Sequence, residues 1–304
     1  MTQAQTQTQS PTPGATYRVV HTTQYTYAEP VSLSMHQVRL TPRTTASQQV
    51  HLTRLQIDPP ASASSSRTDY YGNLATTFSV ADSHHQLRVT AESLVTKAGN
   101  RGGRLLSPIL SDARDQLQRR ATPEALAAVE YQVESPLAPR GAAFARFAET
   151  ALLPDRSVLE GTEALMGLIY REFEYDPVAT TVATPVASVL DGRRGVCQDF
   201  AHLMISCLRS HGVPARYVSG YLVPRPGIVG AQASHAWVAA YCPGVGWVAF
   251  DPTNNVIPSH GHITLAWGRD FDDVSPLKGV TVGGGNHTVS VNVRITAEVG
   301  EAAA

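Results

Sequence analysis

The chain has 304 residues, with 24 Lys and Arg against 25 Asp and Glu for a net charge of −1, and 42% of its residues are hydrophobic. At about 150 residues per domain this suggests two domains with a core that needs no staple, and the balanced charge leaves no global field to hold nucleic acid, an acidic membrane or a polyanion. No apolar run reaches the roughly 18 residues of a membrane span. The opening MTQAQTQTQSPTPG has neither a basic start nor a hydrophobic stretch, and three cysteines, an odd number, fit a reducing compartment; a cytoplasmic protein is expected.

Residues 1–14 offer almost nothing to bury and are expected to be a disordered tail. From Tyr17 onward, period-two segments rich in Val, Tyr and Thr predict strands over Tyr17–Tyr27, Ser34–Leu40, Val50–Ile57, Leu74–Ala81 and Gln86–Thr96. The breakers between them include Glu29-Pro30, Asp58-Pro59-Pro60 with the ASASSS run, and a hairpin turn at Gly72-Asn73. These segments form a β-rich domain over residues 15–98, closed by the linker AGNRGG. Helical patterning follows: Thr122-Pro123-Glu124 starts a helix running to about Val133, a second covers Gly141–Leu152, and Thr162 caps a third. Cys197–His211 is the strongest helix, with Phe200, Leu203, Met204, Cys207 and Leu208 at three- and four-residue steps and Gly212 and Pro214 as its stop. Ala215–Leu222, Ser234–Cys242 and Gly246–Asp251 predict a meander of strands, and His287–Val299 a last strand for either domain. The class is α+β, with a core over 104–280 and a C-terminal strand and tail over 281–304.

Three segments each carry one polar residue with chemical potential: RRGVCQDFAHL, ASHAWV and GWVAFDPTNN. Cys197 opens a long helix, where unpaired N–H groups and the macrodipole favour a thiolate, after a glycine suited to a strained turn. His235 sits on an apolar strand and can pair with that sulfur, and Asp251 ends the next strand, where it can hold the second imidazole nitrogen. Because side chains alternate along strands, a register with Cys242 opposite Trp247 would put Asp251 on the wrong face from His235, so an odd-numbered hairpin connection or a bulge is expected, for example Tyr241 opposite Trp247.

At these residues the chain resembles the transglutaminase-like family of thiol enzymes, which share a papain-type Cys-His-Asp arrangement on a helix and an antiparallel sheet. YRVVHTTQYTY, HQVRLTPR and DYYGN resemble the N-terminal domain of its bacterial members, and HITLAWGRDFDDVSP and GVTVGGGNH also look like that subfamily. The resemblance implies that Cys197 is the nucleophile, His235 the general base and acid, and Asp251 its partner. It implies a papain-like core, no cofactor and no metal, and a peptide or protein substrate bearing an amide side chain or isopeptide bond. Calcium-dependent animal transglutaminases carry a tryptophan ahead of the nucleophile; here no Trp precedes Trp237. That departure argues against protein cross-linking, and because nothing in the sequence identifies a dedicated acceptor site, hydrolysis, as a peptidase, isopeptidase or amidase, is favoured over transfer to an amine. The oxyanion would rest on the Cys197 N–H with a second donor from Gln198 or Tyr175, and Trp237 would shield the imidazole or touch substrate.

The remaining candidates read as structural. Cys207 and His202 fit the core, Cys242 packing or the surface, and Asp270, Asp272 and Asp273 surface charges or caps. His260-Gly261-His262 with His287 invites a metal reading, but the pattern lacks neighbouring Cys or Glu. Arg193 and Arg194 stand near the nucleophile as charges that lower the Cys197 pKa or bind a substrate carboxylate, or as solvated structural side chains. A binding protein with a vestigial triad is the non-enzymatic rival.

Overall fold

The computed structural model describes residues 14–99, 105–231 and 233–298. Except for Gly14, the expected tail lies outside these residues, as do most of the AGNRGG linker and residues 299–304. The N-terminal sheet contains β1 (Ala15–Val38), β2 (Gln48–Asp58), β3 (Ala63–Thr68), β4 (Leu74–Val80) and β5 (His84–Lys97). The two segments expected as separate first strands are one strand. Its inward residues Tyr17, Val19, His21 and Thr23 alternate with more exposed ones. The pairing with β5 skips between Thr26 and Val31, where Pro30 has no N–H to give to a ladder. The ASASSS breaker is in fact mostly the edge strand β3, every residue of which is exposed, so no apolar alternation marks it. The expected turn forms at Gly72 (φ 78°), with Asp69 Oδ1 accepting the N–H groups of Tyr71 and Asn73.

Helices α1 (Leu110–Arg119), α2 (Pro123–Val129), α3 (Ala142–Ala148), α4 (Val158–Glu172) and α5 (Val186–Gly192) follow, with the two-residue strands β6 (Glu174–Tyr175) and β7 (Arg194–Gly195) on either side of α5. Thr122 caps α2 as expected, accepting from Ala125 N at 3.1 Å. Thr162 does not cap α4. Ser157 does, accepting from Glu160 N at 3.3 Å while its hydroxyl donates to the Glu160 carboxylate at 2.9 Å, a Ser-x-x-Glu box five residues upstream. Thr162 lies inside the helix and bonds back to Val158 O at 2.7 Å.

The core sheet runs β10-β9-β8-β11, from β8 (Ala215–Leu222), β9 (His235–Cys242), β10 (Gly246–Phe250) and β11 (His262–Gly268), with α6 (Cys197–Ser210) packed on β9 and β8. Residues Asp199–Arg209 of α6 are all buried. Arg209 is 0% exposed and donates to the carbonyls of Tyr131, Ala138, Ala215 and Arg269 and to Ser135 Oγ, which ties four segments to one guanidinium. After α7 (Phe271–Val274) the chain returns to the first sheet: β12 (Leu277–Gly283) and β13 (His287–Glu298) both pair antiparallel with β1. The last segment thus joins the N-terminal sheet, which β12 enters at Leu277.

The edge strand β11 does not meet solvent. The amide of Gln48 accepts from Thr264 N at 2.8 Å and donates to Thr264 O at 2.7 Å, and the amide of Asn73 does the same to Trp267, at 3.0 Å each way. Two buried side chains of the N-terminal sheet therefore stand in for a neighbouring strand.

Candidate active site

The β9–β10 register sets Trp247 opposite Tyr241 and Phe250 opposite Val238, as the alternation argument requires. Asp251 therefore emerges on the face that carries His235. The imidazole Nε2 lies 2.9 Å from Asp251 Oδ2, and both side chains are 0% exposed. Cys197 is half-buried at the start of α6. It acts on the imidazole through its charge and through a side-chain contact, although Nδ1 of His235 makes no hydrogen bond of ordinary length and angle among the described residues. Burial by itself would lower the His235 pKa, but Asp251 and Cys197 together outweigh it and hold the value well above that of an ordinary histidine.

Asp251 collects five donors. Oδ2 accepts from His235, from His262 Nε2 at 3.1 Å and from Asn254 Nδ2 at 2.9 Å; Oδ1 accepts from the N–H groups of Thr253 at 3.0 Å and Asn254 at 3.3 Å. Burial works to raise its pKa, but the two histidines prevail and keep it far below the usual carboxylate range. His262, held neutral by burial against the pull of Asp251, is a residue the sequence reading missed. Its only signal there was the His-Gly-His pattern, which was weighed for metal. Among the described residues no group of three or more His, Cys, Asp or Glu could hold a metal ion.

Gly195 serves a purpose other than the expected strained turn. A Cβ there would stand 2.7 Å from Asp199 Oδ2, and that carboxylate accepts from Val196 N at 2.8 Å and from Thr180 Oγ1 at 2.6 Å. The close approach lets Asp199 cap the helix that begins with Cys197, because Val196 has no side-chain acceptor. The parallel pairing of β6 with β7 sets Tyr175 opposite Gly195. Burial first, and then the nearby Cys197, raise the Tyr175 pKa, so its hydroxyl is a donor. Tyr217, on β8, is another neighbour of Cys197 that the sequence reading missed: fully enclosed, it is pushed up by burial and then by Cys197 and Asp199. Gln198 is half-buried at the second position of α6. Trp237 is 2% exposed and stacks on the His235 ring at 6.2 Å, with its indole over Gly220, so it shields the imidazole and has almost no surface for a substrate.

Cys207 and Cys242 are both buried, and burial pushes the Cys242 thiol up to about 11. His202 accepts from Phe271 N at 3.2 Å inside the core. Arg193 pairs with Glu172 at 2.9 Å and lies over the rings of Phe147 and Phe173, while Arg194 pairs with Glu174 at 3.2 Å. Asp270 is buried and acts as the cap of α7, its side chain accepting from Asp272 N and also from Leu137 N.

Residues 17–96 match the family model described as bacterial transglutaminase-like N-terminal region, and residues 145–252 match that of the transglutaminase-like superfamily. A Mycobacterium tuberculosis protein is 36% identical over 297 residues, 94% of each chain. A protein-glutamine gamma-glutamyltransferase of Pseudomonas aeruginosa is 34% identical over 109 residues, 32% of this chain and 16% of that one. The solved structure of a candidate cysteine protease from Cytophaga hutchinsonii covers 97% of this chain and 94% of its own at a TM-score of 0.74 and 19% identity, which is a likeness of fold. With both family models matched along one continuous chain, the protein belongs to the transglutaminase-like superfamily, in the bacterial branch that carries the N-terminal β-rich region.

Proposed function

We propose that the protein is a thiol acyl-transfer enzyme that hydrolyses amide bonds of a peptide or protein. The reading is carried by His235, an imidazole flanked by Asp251 on one side and Cys197 on the other and biased toward its protonated form. Cys197 Sγ gives its proton to His235 and attacks the carbonyl. His235 then donates that proton to the departing amine, leaving an acyl-thioester. Water, deprotonated by His235, releases the acid and restores the thiol. The Cys197 N–H at the start of α6 and the Tyr175 hydroxyl would receive the developing oxyanion. No metal or cofactor enters this scheme, and three free cysteines suit the cytoplasm.

A second reading, transfer of the acyl group to an amine, is favoured by the local identity with the Pseudomonas aeruginosa glutamyltransferase. Parallel assays of peptide hydrolysis and amine incorporation separate the two. Cys197→Ala should lower either activity by about a thousandfold or more, and iodoacetamide near neutral pH should label Cys197 far ahead of Cys207 and Cys242. Equal labelling of the three thiols, with no turnover of any amide, would leave a binding protein with a vestigial triad.

A further inference from the structure

A general acid must hand its proton to a leaving group, yet the side chain of His235 is 0% exposed. Part of its cover is the connection between β8 and β9. Gly230, at φ 89°, lies so close that a Cβ built on it would stand 2.8 Å from His235 Nδ1 and 3.5 Å from Cε1. That is the nitrogen not engaged by Asp251. Residues Pro224–Gly227 and Val229 are exposed, so little apolar burial holds this segment down.

Among the described residues, the hydrogen bonds that tie 226–231 to residues beyond the β8–β9 connection run to Asn254, while within the connection Ile228 N–H donates to Arg225 O at 3.2 Å. Val229 N–H donates to Asn254 Oδ1 at 2.8 Å, and Asn254 Nδ2 donates to Val229 O at 3.3 Å. The same Nδ2 donates to Asp251 Oδ2 at 2.9 Å. One amide group grips the cover and the carboxylate at once.

We propose that Asn254 is a positioning residue that latches residues 226–231 over His235 as a lid and couples the closure of that lid to the orientation of Asp251. The role rests on the acyl-transfer reading above. Admission of a substrate breaks the two bonds to Val229 and lifts Gly230 from Nδ1, so that the leaving amine can take its proton there. When the lid closes, Asn254 regains both edges of its contact, and Asp251 again holds the imidazole square to Cys197. Glycine at 230 follows from the approach: any side chain there would meet the ring, and the backbone lies in the left-handed region.

The test uses the full chain and two readouts that need no turnover: hydrogen–deuterium exchange of residues 226–231, and the NMR resonance of the His235 Nε2 proton. Asn254→Ala should speed exchange in the segment by about tenfold and displace the Nε2 proton resonance. Val229→Pro, on an exposed loop, removes the lid's N–H without touching His235 or Asp251. It should nevertheless displace the same resonance, and it should add no further change in an Asn254→Ala background. Exchange in Asn254→Ala within about twofold of the parent, or a Val229→Pro resonance unchanged from the parent, would overturn the latch. If both readouts move as expected while Cys197 proves inert, the acyl-transfer reading falls and the latch stands.

Discussion

His21 in the N-terminal sheet and His235 in the core sheet are both 1% exposed, and they behave in opposite ways. His21 meets hydroxyls: the Tyr221 OH lies 3.0 Å from Nδ1 and Thr23 Oγ1 lies 2.9 Å from Nε2. Burial pulls its pKa down to about 4. His235 meets a carboxylate and a sulfur, and its pKa rises despite equal burial. Burial sets the default for an imidazole, and a charged partner reverses it. The reversal is available only because Asp251 has five donors to keep it ionised where an isolated carboxylate would take up a proton.

Asp251→Asn breaks this contrast with the largest effect. Without the negative charge, His235 should titrate below the ordinary 6.5, as His21 and His202 do at about 4. Any amide hydrolysis should fall by about 10⁴-fold, the loss known for replacing the carboxylate of a serine protease triad by its amide. NMR titration of the His235 ring decides it, because a value still above 6.5 in Asp251→Asn would mean that Cys197 suffices as the counter-charge.

The two histidines should also give stability opposite slopes against pH. His21 has a folded pKa of about 4 against an ordinary 6.5; the unfolded chain binds its proton first, so stability is full above about 6.5 and drains as pH falls toward 4. His235 is raised, so its contribution is full below about 6.5 and is lost as pH climbs through the folded value. In His21→Gln the difference in unfolding free energy between pH 7.5 and pH 5 should shrink by about 2 kcal/mol. Urea melts at the two pH values measure it, and an unchanged difference would place the acid sensitivity elsewhere.

Legibility in the sequence followed locality. The meeting of His235 and Asp251 could be read because each sits at a fixed position in one strand, and face alternation turned their spacing into a register that the β9–β10 pairing matches. His262 and the latch role of Asn254 could not. They converge on Asp251 from β11 and from the turn after β10, and no period along the chain expresses that meeting. The strand β3 was hidden because an exposed edge needs no apolar alternation. The cap of α4 fell at Ser157 and not Thr162 because the apolar stripe from Leu165 onward does not mark the first turn, which the Ser157–Glu160 box does. The destination of β12 and β13 depended on which sheet had an unpaired edge, which is a property of the assembled fold.

The smallest of these effects concerns the seam between the two sheets. Gln48 is 2% exposed and satisfies both backbone groups of Thr264 as well as Arg43 O at 2.7 Å. Truncation to Ala leaves the Thr264 N–H of β11 without its partner, while Thr264 O keeps the N–H of Arg43 at 3.2 Å, at a cost of about 1–3 kcal/mol, which in a chain of this size lowers Tm by roughly 2–8 °C. The loss should reach the active site as well, since β11 carries His262 and His262 holds Asp251. Gln48→Ala should therefore slow Cys197 alkylation by a few fold, whereas a Ser66→Ala change on the exposed edge strand β3 should alter neither Tm nor alkylation. Slowing of alkylation by Ser66→Ala to the same degree would show that the N-terminal sheet supports the triad by general stability, and not through the amide that caps β11.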